Sequence, residues 1–264
     1  MPFVQREGAR LYWRIDGHPE RPALVLLNSL GCDHSLWEQL MPGLLRQFRV
    51  LRLDKPGHGA SDARPGEYTI EQLGRDVLAV MDAAGVRRAH LCGVSIGGMI
   101  GIWLAANAPE RIDRLVLSNT SAKLAPEGFV ERIRVIRAGG IAAIADTVLG
   151  RFFTAGFVAQ ADERFHSIRT TLLQVDPQGY LGCCAALRDM DLRALLPRIA
   201  APTLVVTCRD DASTPAAMGE AIAAAIPGAQ RIELTLAHLP FIEAPQRYTE
   251  QVAGFLAQRP TAAG

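Results

Sequence analysis

The stretch His90–Gly98, reading HLCGVSIGG, restricts the fold of this chain more than any other. Ser95 has Gly93 two residues before it and Gly97 two residues after it, a G-x-S-x-G pattern. A serine so flanked suits a sharp strand-to-helix turn. Such a turn strains the serine backbone, and side chains at the flanking positions would collide. The context agrees. Ala89–Val94 is a short, mostly apolar run that reads as a buried parallel strand. Ile96–Ala108 reads as a mostly apolar helix ended by Pro109. The turn lifts the serine oxygen clear of the sheet and aims free N–H groups and the positive helix end at it. Ser95 is therefore the candidate nucleophile.

The flanking chain predicts alternating strands and helices. LYWRID (residues 11–16) reads as an early antiparallel strand, ALVLL (23–27) as a central one, and Ser35–Leu45 as a helix. Val50–Leu53 is a further strand, and an amphipathic helix over Thr69–Ala84 is closed by Gly85. After the elbow and its helix comes a strand at Leu115–Leu117. This order predicts a parallel sheet covered on both faces. From about Ser121 to Pro197 the pattern is helical instead, with helices expected at Phe129–Ala138, Ile141–Leu149 and Gly182–Leu195. Strand and helix then resume with TLVVT (203–207), Ala216–Ala225, Arg231–Leu234 and Pro245–Leu256, and a frayed tail is expected at Pro260–Gly264. The expected division is a core of residues 1–120 and 198–264 and a helical insert of residues 121–197. The insert would sit over the carboxyl edge of the sheet, where ligands bind in open α/β sheets.

Composition removes other classes. A net charge of +1 over 264 residues gives no electrostatic reason to bind nucleic acid or an anionic membrane. No apolar run reaches the roughly 20 residues that span a bilayer, and MPFVQREGAR carries no hydrophobic signal core. Five cysteines, two of them adjacent and none in C-x-x-C, point to buried thiols in a reducing cytoplasm. No H-E-x-x-H or clustered ligand set suggests a metal, and the elbow glycines do not form G-x-G-x-x-G. No cofactor is expected.

A serine hydroxyl at neutral pH needs a base within hydrogen-bond reach and a carboxylate to orient that base. In the α/β-hydrolase fold these follow in the order serine, acid, histidine. Asp210 and Asp211 follow TLVVTCR, and His238 is the one histidine after them. Asp211 is preferred, because Asp211-x-x-Thr214-Pro215 matches an acid loop whose proline opens the next helix. The oxyanion hole should use two backbone N–H groups: that of Ile96, after the nucleophile, and one from Asn28-Ser29-Leu30-Gly31, most naturally Leu30. His58, in a G-x-G loop, is expected to be structural.

On these residues the chain resembles the 3-oxoadipate enol-lactonases of bacterial aromatic catabolism, over nearly its whole length. The elbow GVSIGGMIG, the following LAANAPERIDRLVLSNTSAK, and NSLG and DHSLW near the start carry the resemblance. So do two insert stretches that a hydrolase in general does not require, GGIAAIADTVLGRFFT and GYLGCCAALRDMDLR. The resemblance implies an α/β-hydrolase fold with a helical cap inserted after its sixth strand. It places nucleophile, acid and base on Ser95, Asp211 and His238, and implies hydrolysis of a small carboxylated enol-lactone. Three places depart from the family: Lys55-Pro56 where Thr-Arg is frequent, Phe152 where tryptophan is common, and Pro240-Phe241 where Ser-Asn is frequent. The last two are expected to border the pocket. The substrate carboxylate calls for an arginine, and the insert offers Arg132, Arg134, Arg137, Arg151, Arg169, Arg188 and Arg193 without singling one out. A broader carboxylesterase or perhydrolase, a carbon–carbon bond hydrolase and a slow-turnover ligand sensor remain as alternatives. A dehalogenase is disfavoured, since the elbow holds serine.

Overall fold

A computed structural model describes residues 2–258. The expected frayed tail at Pro260–Gly264 lies outside them. Eight strands form one sheet: β1 (Phe3–Arg6), β2 (Ala9–Asp16), β3 (Ala23–Leu27), β4 (Arg49–Leu53), β5 (Ala89–Val94), β6 (Ile112–Ser118), β7 (Thr203–Cys208) and β8 (Gln230–Leu234). Their order is β1-β2-β4-β3-β5-β6-β7-β8. β1 pairs with β2, and β2 with β4, antiparallel; all later pairs are parallel. Every residue of β5 and β7 is buried, as strands covered on both faces require.

Between the strands run α1 (Ile70–Ala83) and α2 (Ile96–Asn107), and five helices separate β6 from β7. These are α3 (Pro126–Gly139), α4 (Ala145–Phe152), α5 (Ala155–Gln160), α6 (Glu163–Leu173) and α7 (Pro177–Asp189). The two ends of this insert are pinned together, with the Leu192 N–H donating to Ala122 O at 2.8 Å. α8 (Ala216–Ala225) and α9 (Pro245–Leu256) complete the fold. α1 begins with a capping box: Thr69 accepts from the Gln72 N–H, and Gln72 accepts from the Thr69 N–H.

The register aligns the carboxyl ends of the parallel strands: Leu27 lies opposite Gly93, Val94 opposite Ser118, Ser118 opposite Val206, and Cys208 opposite Leu234. The loops after β3, β5, β7 and β8 therefore open on one edge. Those loops, with the first residue of the helix after β5, contain all five residues expected to act.

Several local expectations differ. Ser35–Leu45 is a 3-10 helix (His34–Leu40) followed by one α-helical turn (Met41–Leu44), because Pro42 lacks an N–H and Gly43 is a poor helix former. Ile141–Leu149 is likewise a 3-10 turn (Ile141–Ile144) leading into α4. The helix expected from Gly182 starts at Pro177, with Asp176 accepting from the Gln178 N–H at 2.7 Å, and stops at Asp189. β1 was not expected. It turns into β2 through Glu7 and Gly8, both at positive φ (48° and 82°), the backbone a two-residue hairpin needs.

Candidate active site

Ser95 sits between β5 and α2 at φ 58°, ψ −125°. The backbone around it fixes this conformation: its N–H lies 3.1 Å from both Ser118 O and Asn119 O, and its own carbonyl accepts from Thr120 Oγ1 at 2.7 Å. The elbow glycines are needed for close approach. A Cβ on Gly93 would lie 2.3 Å from Gly97 O, and one on Gly97 would lie 2.2 Å from Leu27 O. The blocking atoms are backbone and cannot swing away. Gly97→Ala is therefore expected to destabilise the fold by about 3 kcal/mol or more, read as a lowered urea midpoint.

His238 is 1% exposed. Its Nδ1 lies 2.8 Å from Asp211 Oδ2, and Asp211 also accepts from the Ser213 N–H (2.7 Å), the Thr214 N–H (3.0 Å) and Thr214 Oγ1 (2.8 Å). Burial alone would raise the Asp211 carboxyl, but His238 and these donors hold it below its ordinary value. An ionised carboxylate only accepts, so His238 Nδ1 carries a proton, and the neutral tautomer of this ring has its lone pair on Nε2. Asp210 is exposed, whereas Asp211 is buried.

The loop after β3 is held from behind by the segment after β4. The Lys55 ammonium donates to Ser29 O (3.0 Å), Asn28 O (3.3 Å) and Cys32 O (3.4 Å). His58 Nε2 accepts from the Gly31 N–H at 3.1 Å, while its Nδ1 donates to Pro56 O at 3.0 Å. Burial and then the nearby Lys55 charge push the His58 imidazole well below its usual pKa, which keeps it neutral and able to accept. Ile96 opens α2, so its N–H belongs to the first turn, which has no intrahelical acceptor.

Ser29, Leu30, Ser95 and His238 line one cavity of about 250 Å³. Phe129, Arg132, Val148, Arg151 and Phe152 of the insert wall it on one side, and Thr214 and Met218 on another. Phe152 lies nearly parallel to the His238 ring (centroids 5.4 Å apart, 21° between planes), so this departure does border the pocket. Pro240 and Phe241 do not line it, which corrects the expectation. Phe241 is fully buried and stacks on Trp37 at 4.4 Å, because the short turn Pro240–Glu243 directs it into the core. Lys55 and Pro56 also lie behind the loop and outside the lining.

Of the seven arginines named above, Arg132 and Arg151 line the cavity, and an eighth in the insert, Arg164, pairs with Asp162. Arg134, Arg169, Arg188 and Arg193 pair with surface carboxylates, and Arg137 faces a separate cleft beside Glu67. Sequence reasoning missed Asn119, whose side-chain amide donates to Ala237 O (3.1 Å) and His238 O (2.9 Å). Its φ is 42°, and the signal in the sequence is an asparagine directly after a strand, a residue that tolerates left-handed backbone there. All five cysteines are free and buried. Burial pushes each thiol up to about 12, far from nucleophilic. Among the described residues no group of three His, Cys, Asp or Glu side chains could hold a metal ion, and no helix is long and apolar enough to cross a membrane.

Comparison with known proteins agrees with this architecture. A family model described as the alpha/beta hydrolase fold matches residues 22–245. The 3-oxoadipate enol-lactonase 2 of Acinetobacter baylyi is 36% identical over 237 residues, 89% of either chain. The enol-lactonase structure from Burkholderia xenovorans LB400 is 41% identical with a TM-score of 0.95, covering 97% of this chain and 100% of the other. A hydrolase from Pseudomonas aeruginosa PA01 is 44% identical with a TM-score of 0.94, covering 97% and 98%.

Proposed function

Because this chain belongs to the 3-oxoadipate enol-lactonase family of α/β-hydrolases and is an ester hydrolase, we propose that it opens the ring of 3-oxoadipate enol-lactone through an acyl-enzyme on Ser95, in the breakdown of aromatic compounds. The observation that carries this reading is the shared cavity of Ser95 and His238, with Asp211 gripping the far side of the imidazole at 2.8 Å. The same reading divides the chain into a hydrolase core, residues 1–120 and 198–264, and a cap, residues 121–197, that supplies the substrate-facing wall.

Ser95 Oγ attacks the lactone carbonyl while His238 Nε2 takes its proton, and Asp211 stabilises the imidazolium. The tetrahedral oxyanion rests on the Leu30 and Ile96 N–H groups. Ring opening releases an enolate tethered within the acyl group; the His238 imidazolium returns the proton taken from Ser95 to the enolate carbon, which gives a ketone and leaves His238 neutral for the next step. A ketone re-attacks the ester poorly, so acylation is effectively irreversible. A saturated lactone would instead leave an alkoxide able to re-close the ring. Equal single-turnover acylation rates for enol and saturated lactones would contradict this step. Water, activated by His238, then releases 3-oxoadipate.

Arg132 is assigned to the substrate carboxylate. It lines the cavity, is partly buried, and its guanidinium lies 5.4 Å from the Phe129 ring centroid, which limits its freedom. Arg151, the other lining arginine, is exposed. Arg132→Gln is expected to raise KM for the lactone about 10- to 100-fold with kcat nearly unchanged, as loss of a charge-assisted pair to a non-reacting group requires. On p-nitrophenyl acetate, which has no carboxylate, the variant should match the parent.

The choice between a lactonase and a broad esterase rests on relative kcat/KM. The enol-lactone is expected to exceed p-nitrophenyl acetate by at least about a hundredfold, because the ester leaves the arginine unused. Equal values would favour the broad esterase.

A further inference from the structure

The buried Lys55 ammonium spends its hydrogen bonds on one loop. It is 6% exposed and donates to three backbone carbonyls within residues 28–32, the shortest contact being 3.0 Å to Ser29 O. The Ser29 carbonyl and the Leu30 N–H belong to the same peptide group. That group is planar and trans, so its C=O and N–H point in opposite directions. A cation holding the oxygen from behind therefore turns the N–H toward the cavity that Ser29 and Leu30 line. Withdrawing charge from the oxygen also makes the N–H a stronger donor. The neighbouring Gly31 N–H is already committed to His58, which leaves the Leu30 amide to face the cavity.

We propose that Lys55 is a positioning residue for the oxyanion hole: it orients and polarises the Ser29–Leu30 peptide so that the Leu30 N–H meets the developing oxyanion. This rests on the serine-hydrolase reading above. A carbonyl dipole held in this way strengthens an interaction made only with the tetrahedral species. Lys55 therefore acts on the transition state and leaves ground-state binding alone.

The test compares the parent with Lys55→Met, which keeps most of the side-chain volume without the donor. Four quantities are read: kcat and KM on the enol-lactone, the dissociation constant of a short alkylboronic acid that forms a tetrahedral adduct on Ser95, and the inhibition constant of a dicarboxylate that binds competitively without reacting. The expected result is a kcat about 10- to 100-fold lower, part of what one oxyanion donor is worth. Boronate affinity should fall in step, while KM and dicarboxylate inhibition stay within about twofold. Lys55→Arg, which restores a cation, should recover boronate affinity in part. If Lys55→Met does not fold, Lys55→Gln replaces it, its amide reaching fewer carbonyls and giving a smaller parallel loss. Unchanged kcat and boronate affinity in the folded variant would overturn the assignment, as would equal losses for the boronate and the dicarboxylate. The two readings fail separately. Activity retained by Ser95→Ala sinks the serine mechanism, whereas an inactive Ser95→Ala beside an unaffected Lys55→Met sinks only the role of Lys55.

Discussion

Replacing Ser95 with alanine is expected to lower kcat on the enol-lactone by about 10⁴- to 10⁶-fold while leaving the folding midpoint nearly unchanged. The size follows from what remains. The backbone donors of Leu30 and Ile96 and the cavity would still bind and polarise the carbonyl, but no atom would be placed to form the acyl bond. The small stability effect follows from the local geometry. The strained φ of 58° is held by hydrogen bonds to the Ser95 backbone, from Thr120 Oγ1 to its carbonyl and from its N–H to Ser118 and Asn119. Alanine keeps all of these. Stopped-flow turnover and urea denaturation on the same preparation read both quantities.

Asp211→Asn is expected to cost about 10⁴-fold in kcat, and the hydrogen bonds say why. Asp211 Oδ1 receives two backbone N–H groups, from Ser213 and Thr214, while Oδ2 faces His238 Nδ1 and Thr214 Oγ1. An asparagine places its carbonyl oxygen on the two backbone donors. Its NH2 is then forced against His238, which must accept at Nδ1 and carry its proton on Nε2. An imidazole in that tautomer cannot take the Ser95 proton. NMR of the His238 ring nitrogens reads the tautomer directly, and an unchanged tautomer with full activity would refute the explanation. Stability gives a second reading. The Asp211 carboxyl sits below its ordinary pKa, so the folded state takes up this proton at lower pH than the unfolded chain. Its contribution is complete above the ordinary carboxylate range and is lost as the pH falls through the lowered value. The stability gap between parent and Asp211→Asn should therefore narrow on acidification.

Much of this site could be read before any coordinates, because its chemistry depends on short-range patterns. G-x-S-x-G needs only the residues that pack against it in the turn. Asp211-x-x-Thr214-Pro215 encodes its own acceptor geometry, with Thr214 supplying two of the donors to the carboxylate. His238 is singled out by elimination, as the one histidine after Asp211 in the chain. What failed depended on tertiary packing. The insert holds eight arginines, and only the placement of α3 and α4 against the core brings Arg132 and Arg151 to the cavity. Phe241 follows the histidine closely enough to suggest a pocket wall, yet its ring is claimed by Trp37, distant in sequence. Lys55 could be seen as a departure, but that its ammonium reaches the carbonyls of residues 28–32 emerges only when β3 and β4 lie side by side.

The proposed mechanism requires that Ser95 Oγ be the atom that takes the acyl group. Fluorophosphonate labelling followed by peptide mass mapping tests this most directly. One equivalent of label on the peptide containing Ser95, with lactonase activity lost in proportion, is the predicted result. Label on any other residue, or turnover that survives full modification of Ser95, would contradict it.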